Sequence, residues 1–318
     1  NILKKKPKLG LFFTKSISLK HWVESGLFDR EKRIYEWLLE NEHVERILWF
    51  TYGVNDDVLA SELVAQKKLH KKILVVSMPK IYGSKIGKWF YSLFMGVVHF
   101  STFRKLDILK TNQIYGSWAA IIIKIFMAKP LILRCGYIPT RNVPTTTLVM
   151  YFFRLVQRIA FKLADISVVS NPLDHEYVTE RYNLDNVRIN PSYVDGSVYF
   201  RTPNKNIILE NKIKFLYVGR LEKVKNIINV IDAILLTGNT IDIYGDGSLR
   251  PYIQEKYQTP IAEKKVSLMG IVSNNELAKI YQRYDFYILM SLTEGMSKTL
   301  LEAMTSGLIC VVSDIPQN

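Results

Sequence analysis

Phe286-Tyr287-Ile288-Leu289-Met290-Ser291-Leu292-Thr293-Glu294-Gly295-Met296-Ser297-Lys298-Thr299-Leu300-Leu301-Glu302 runs from five apolar residues into two acids with seven residues between them. An uninterrupted apolar run of this length predicts a strand buried on both faces, as a parallel sheet requires. Thr299 to Thr305 predicts a helix. Glu294 then occupies a strand-to-helix turn, and open α/β sheets bind their ligands at such turns.

The spacing has a physical logic. Gly295 lets the backbone approach a ligand, while the N–H groups around Met296 to Lys298 and the helix dipole favour a phosphate. Glu302 follows two helical turns on, its side chain tilted back toward the helix N-terminus. One carboxylate can then hold hydroxyls of one sugar, and the other those of a second sugar across a diphosphate. In isolation the pair also reads as a capping Glu followed by a solvated helix Glu, because two acids at any given spacing arise by chance.

Upstream stands Lys214-Phe215-Leu216-Tyr217-Val218-Gly219-Arg220-Leu221-Glu222-Lys223-Val224-Lys225-Asn226. It predicts a strand ending at Gly219, then a helix with Ile227, Val230, Ile231, Ile234 and Leu235 on its apolar face. Arg220 and Lys225 project from the loop and first turn, where two cations can clamp a diphosphate. Cations at a helix N-terminus oppose the dipole, so an anionic ligand would account for their placement. Ile241 to Tyr244 predicts the next strand, followed by Gly245-Asp246-Gly247-Ser248. A lone Gly-x-Gly is equally explained by a left-handed turn. Val266 to Gly270 is one more short strand ending in glycine.

In this order the residues resemble the C-terminal domain of GT-B glycosyltransferases, specifically the retaining family 4. That pattern runs Gly-Arg-Leu with a Lys five residues after the Arg, Gly-x-Gly, a strand and Gly, then two Glu separated by seven residues. Residues 215–316 carry the resemblance most fully, 107–200 in part and 1–106 in outline. The resemblance implies two Rossmann-like, doubly wound parallel-sheet domains facing across a cleft, an N-terminal acceptor-side domain over 1–198 and a C-terminal nucleotide-sugar domain over 199–318. It implies transfer of a sugar from a nucleotide-diphosphate sugar to an acceptor hydroxyl with retention, in bacterial cell-surface polysaccharide or glycolipid synthesis. Glu294, Arg220 and Lys225 would be the catalytic residues. Gly26, Gly136, Gly219, Gly245, Gly247, Gly270, Gly295, Met296, Ser297 and Glu302 would line the substrates. A GT-B-shaped sugar-nucleotide epimerase and a non-catalytic nucleotide-sugar-binding scaffold at the membrane are the alternatives.

The whole chain agrees with two domains. Its 318 residues and 48% hydrophobic content are enough for about two cores. Cys135 and Cys310 give no disulfide framework and suit a reducing cytoplasm, with Cys310 expected in the core. The sequence begins at Asn1 without Met and ends in the loop after Leu308 to Val312. Members of the resembled family continue for several elements, including a helix that returns to the N-terminal domain, so those elements are expected to be missing here.

In the first half, strands are predicted at Leu9 to Phe13, Arg46 to Thr51, Lys72 to Ser77, Asp107 to Thr111, Lys129 to Arg134 and Ile166 to Ser170. Helical patterns include Glu31 to Glu40, Gly116 to Met127 and Leu148 to Ala164. Asn190 to Asp195 leads into a polar linker near Arg201 to Asn206. Ser25-Gly26-Leu27-Phe28 resembles the family's glycine-rich loop against the donor phosphates and the acceptor; Gly26 also reads as an ordinary loop glycine. Arg134-Cys135-Gly136-Tyr137 stands where many relatives carry His-Gly. The His is absent, so only Gly136 aligns, with Arg134 or Tyr137 as replacement contacts.

Charge is unevenly shared. Residues 1–195 hold 29 Lys and Arg against 17 Asp and Glu, whereas 196–318 hold 14 against 12. A basic half of this kind faces something anionic. Lys80 to Lys105 mixes Lys80, Lys85, Lys88, Arg104 and Lys105 with Trp89, Phe90, Tyr91, Phe94 and Met95. Its apolar part is shorter than the ~20 residues a membrane span needs. It reads either as an amphipathic helix lying on an anionic membrane or as a core helix with solvated basic ends. The expected partners are therefore a nucleotide sugar, a lipid-linked or glycan acceptor and an anionic membrane surface, in a cytoplasmic protein peripheral on the inner face. Nucleic acid is disfavoured, since no basic-aromatic RNA motif or zinc spacing appears. An NAD enzyme is poorly supported without an early Gly-x-Gly-x-x-Gly. No Asp-x-Asp follows a strand, so neither a metal nor another cofactor is expected.

Overall fold

The computed structural model describes residues 5–136, 138, 148–201, 212–316 and 318, without the side chains of 148–150 and 275. The chain divides into two compact units, Asn1–Asn190 and Pro191–Asn318. The sequence placed the junction at 198. In the structure the intervening residues belong with the second unit, because Tyr199 is buried in its core and the Ser192 N–H donates to the Met296 sulfur at 3.1 Å. Tyr137, most of the expected linker and the segment 139–147 lie outside the described residues.

The first unit runs β1 (Lys8–Phe12), α1 (Leu19–Glu24), α2 (Phe28–Glu40), β2 (Arg46–Phe50), α3 (Asp56–Ala65), β3 (Ile73–Val76), α4 (Lys85–Val98), α5 (Phe100–Arg104), β4 (Ile108–Thr111), α6 (Trp118–Met127), β5 (Leu131–Cys135), α7 (Leu148–Leu163), β6 (Ile166–Val169), α8 (Pro172–Tyr182) and β7 (Val187–Ile189). Its seven strands are parallel in the order β3-β2-β1-β4-β5-β6-β7. Each predicted strand forms within two residues of its expected start, because a sheet covered on both faces needs apolar residues at successive positions. Alternate side chains feed two cores. Leu9, Leu11, Trp22, Tyr35, Trp49 and Leu63 pack under α1 to α3, while Phe12, Phe50, Tyr91, Met95, Leu109 and Phe161 form the other.

The Lys80–Lys105 region is two helices rather than one. His99 ends α4 and opens α5, and its ring meets the Tyr91 hydroxyl at 3.0 Å. Tyr91, Ser92, Met95 and Phe103 are buried, so the segment is a core layer on one side and a surface on the other.

The second unit runs β8 (Lys214–Val218), α9 (Ile227–Leu236), β9 (Thr240–Tyr244), α10 (Arg250–Lys256), α11 (Gln258–Ala262), β10 (Val266–Gly270), α12 (Asn274–Tyr281), β11 (Phe286–Leu289), α13 (Lys298–Thr305) and β12 (Ile309–Val312). Its parallel sheet is ordered β10-β9-β8-β11-β12. The order reverses between β8 and β11, so the loops leaving those two strands flank the switch point where such sheets bind ligands.

Candidate active site

Both switch-point loops start from strands whose residues are almost all buried, and this fixes where the loops begin. The chain leaving β8 passes Gly219 and exposes Arg220, whose carbonyl accepts from the buried Tyr217 hydroxyl at 3.0 Å. A short turn, Lys223–Lys225, and the left-handed Asn226 then start α9. The chain leaving β11 is tied to that turn, since the Leu292 N–H donates to the Val224 carbonyl at 2.9 Å.

The two loops deliver opposite charges to one point. The Lys225 ammonium and the Glu294 carboxylate form an ion pair with both side chains largely out of water. Burial pushes the Tyr217 hydroxyl's pKa up, with the Glu294 charge adding to the effect and Arg220 opposing it. Ser297 is the N-cap of α13, accepting from the Leu300 N–H and touching the Thr299 hydroxyl at 3.3 Å. Gly295 and Met296 precede that cap.

Glu302 lies inward. It is 4% exposed and accepts from the Tyr281 hydroxyl at 3.2 Å; that hydroxyl also reaches the Thr299 carbonyl at 3.1 Å. Burial and the Glu302 charge push the Tyr281 pKa far up. Glu294 is 8% exposed. The reading of the pair as a capping Glu plus a solvated Glu therefore fails: Ser297 caps the helix, and both acids are buried.

The Gly-x-Gly turn has a structural reason of its own. Gly245 has φ +138°, and a Cβ there would stand 2.0 Å from the Gly219 carbonyl oxygen; one on Gly247 would stand 2.6 Å from that of Leu221. Backbone bonds join the turns, from the Gly219 N–H to the Tyr244 carbonyl, from Leu221 to Asp246 and from Gly245 to Gly270. Glu222 locks the assembly by accepting from the N–H (3.1 Å) and hydroxyl (2.7 Å) of Ser248. Arg220 is thus presented from a loop held on two sides. Ser192 against Met296 and Tyr281 against Glu302 were not anticipated, and neither carries a motif that would have found it.

The remaining candidates, Gly26 and Gly136, belong to the first unit. Gly26 (φ +70°) ends α1: its N–H donates to the Val23 carbonyl and that of Leu27 to the Trp22 carbonyl, the pattern of a glycine-terminated helix. The Gly136 N–H donates to the Gln113 side chain at 3.0 Å, and its carbonyl accepts from the Ser170 hydroxyl at 3.0 Å. The Arg134 guanidinium donates to the Asn112 carbonyl at 3.1 Å, and Cys135, beside the position of the absent His, is buried. Among the described residues, no cluster of His, Cys, Asp and Glu is placed to hold a metal ion.

Residues 200–318 match the sequence model described as "Glycosyl transferases group 1". They form a group 1 glycosyl transferase domain. The group 1 domain contains all of Arg220, Lys225, Glu294 and Glu302. Over 162 residues the chain is 31% identical to the UDP-Gal:alpha-D-GlcNAc-diphosphoundecaprenol alpha-1,3-galactosyltransferase of Escherichia coli, covering 46% of this chain and 41% of that enzyme. It is 26% identical to the O-antigen chain mannosyltransferase RfbU of Salmonella typhimurium, over 54% of this chain and 49% of that one. The chain thus spans less than half the length of these two relatives. Among solved structures, Anabaena HepE in complex with UDP and glucose is similar at a TM-score of 0.67 and 17% identity, covering 96% of this chain and 80% of that one. Sucrose-phosphate synthase from Thermosynechococcus elongatus is similar at a TM-score of 0.72 and 14% identity, covering 97% and 82%. The fold is GT-B.

Proposed function

We propose that this protein is a retaining, hexosyltransferase-type glycosyltransferase, moving a sugar from a nucleotide-diphosphate sugar to an acceptor hydroxyl in polysaccharide or glycolipid synthesis. The observation that carries the reading is the meeting of Lys225 and Glu294 at the switch point of a group 1 domain, beside the N-terminus of α13. A carboxylate suited to sugar hydroxyls and a cation suited to phosphate stand at one place.

In this reading the donor's diphosphate takes Arg220, Lys225 and the N–H groups from Gly295 to Ser297, which neutralise charge as it develops on the leaving group. Glu294 holds hydroxyls of the transferred sugar, and Glu302 those of the ribose. Gly219, Gly245, Gly247 and Gly270 keep the surrounding backbone low enough for the nucleotide to lie over it. The bond from the anomeric carbon to the β-phosphate oxygen breaks while the acceptor oxygen bonds the same face of that carbon. The acceptor's proton passes to the departing phosphate. Fixed cations and a helix N-terminus meet the diphosphate charge, so the reaction is proposed to need no metal. Gly26 and Gly136 are proposed to line the acceptor side. The acceptor is proposed to be lipid-linked or glycan, met by a peripheral protein on the inner face of the cytoplasmic membrane through its basic first unit.

The test is a donor screen on the full-length protein. UDP-, GDP- and ADP-sugars are compared for thermal stabilisation, which reaches a few kcal/mol at saturating ligand. The preferred donor is then incubated with lipid-linked glycan acceptors and the linkage of the product is read by NMR. Net retention at the anomeric carbon supports the reading. Accumulation of free epimerised sugar nucleotide, or binding without any donor turnover, overturns it.

A further inference from the structure

Helices α4, α6 and α7 lie side by side in one layer of the first unit. Trp118 of α6 donates its ring N–H to the Ser92 hydroxyl of α4 at 2.9 Å, and the Tyr115 ring, just before α6, meets that of Phe153 on α7 at a tilt, with ring centres 5.2 Å apart. Their inward faces fill the core, yet α4 and α7 also carry an outward apolar stripe. On α4 it is Ile86, Trp89, Phe90, Phe94 and Val97, spaced i, i+3, i+4, i+8, i+11; on α7 it is Tyr151, Phe152, Leu155 and Ile159. Ile125 and Phe126 close the end of α6. Ile86, Val97 and Phe126 are 71%, 75% and 82% exposed. Scattered apolar residues at a surface need no explanation, but two such stripes with the apolar end of α6 make up a surface of the kind that marks an interaction site.

The charges single out the partner. Residues 80–164 contain thirteen Lys and Arg and one acid, Asp107. Lys85 is exposed at the start of α4, and Arg158 and Lys162 are exposed on the same face of α7 as its apolar stripe. A protein partner of average surface would match the apolar area but not the exposed cations, Lys85, Arg158 and Lys162, that lie beside it. An anionic bilayer interface matches both, because aromatic and aliphatic side chains enter the headgroup region while the cations meet lipid phosphates. Among the described residues no helix is long and apolar enough to cross a membrane, so the contact is one of lying on the surface.

We infer that the α4/α6/α7 face docks on anionic lipid, with Phe90, Phe94, Val97, Ile125, Phe126, Phe152 and their neighbours entering the interface. The inference deepens the proposed membrane-borne acceptor by assigning its surface, and it is measured without any sugar transfer.

The full chain is mixed with vesicles of phosphatidylcholine alone or of phosphatidylcholine with phosphatidylglycerol, and bound protein is sedimented. Binding is expected only to the second. Phe126→Ser with Ile125→Ser, and separately Lys85→Glu with Arg158→Glu, are each expected to weaken it at least about tenfold. Brominated lipid is expected to quench tryptophan emission in wild type and in Trp37→Phe, but not in Trp89→Phe. These variants should still be stabilised by the nucleotide sugar that stabilises wild type, so a failed donor screen and a failed vesicle assay remain separate results. Vesicle binding unchanged by the α4, α6 and α7 substitutions overturns the inference. So does a wild-type dimer that Phe126→Ser dissociates, or charge-dependent binding to RNA with none to vesicles.

Discussion

The Lys225 ammonium and the Glu294 carboxylate, 69 positions apart, neutralise each other in a site proposed to receive a diphosphate and a sugar. An ion pair is a resting arrangement that a ligand has to open, since the phosphate competes for the lysine and sugar hydroxyls for the carboxylate. Glu294→Gln should release Lys225 for the phosphate while removing the charge that orients the sugar. Expected are a kcat about 100- to 1,000-fold lower and a Kd for the nucleoside diphosphate equal to or below that of wild type. Steady-state kinetics and calorimetric titration check both, and full activity in this variant sinks the assignment of Glu294.

Two glycines of the same site should respond differently to a methyl group. Gly245→Ala forces a Cβ against the Gly219 carbonyl at φ +138°, whereas Gly270 (φ +77°) has nothing within 4 Å of the corresponding position. Urea unfolding should show a loss of about 2–5 kcal/mol for Gly245→Ala and about 1–2 kcal/mol for Gly270→Ala. Equal losses would mean that the turns are not packed as described.

Glu302 depends on a tyrosine. Removing the donor by Tyr281→Phe leaves a buried carboxylate short of a hydrogen bond, at a cost of about 1–3 kcal/mol. If Glu302 holds the ribose, KM for the donor rises in this variant with kcat little changed. A kcat loss at constant KM would assign Tyr281 and Glu302 to the chemical step instead.

Lys110 provides a pH-dependent test in the first unit. Burial and the nearby Arg134 charge push its pKa down to about 7, and it donates to the Tyr35 hydroxyl at 2.9 Å. In the unfolded chain the same ammonium keeps its proton to about pH 10.4. Between these values the unfolded state binds the extra proton, so stability rises with pH across the window, and the penalty is fully present below it. Lys110→Met should remove that rise. Unfolding of both proteins at about pH 7 and about pH 10 should show the variant gaining most at the lower pH, and an unchanged difference between the two pH values counts against a depressed pKa.

The parts of the site legible in the sequence were those placed by strand ends. Phe286 to Met290 and Phe215 to Val218 announce buried parallel strands, and Arg220, Lys225 and Glu294 follow them directly. Contacts made sideways left no such mark. Tyr281 reaches Glu302 from a different helix, and Ser192 reaches Met296 across 104 positions. The strand β7 is three residues with two exposed, too short to show an apolar run. In Lys80 to Lys105 the apolar period was visible but served two surfaces at once, Tyr91 and Met95 pointing inward and Phe90 and Val97 outward, so periodicity alone could not choose between core and surface. The Gly-x-Gly read as a ligand loop or a simple turn proved to be a steric requirement of two backbones in contact.

The cores described for the two units share no residue: one is built from Tyr199 to Leu308, the others from Leu9 to Val187. Heat therefore meets two separate cooperative assemblies, and a calorimetric scan of this chain should resolve into two endotherms rather than one. Nucleoside diphosphate, proposed to be held by residues of the later assembly, should move a single endotherm upward and leave its companion where it was.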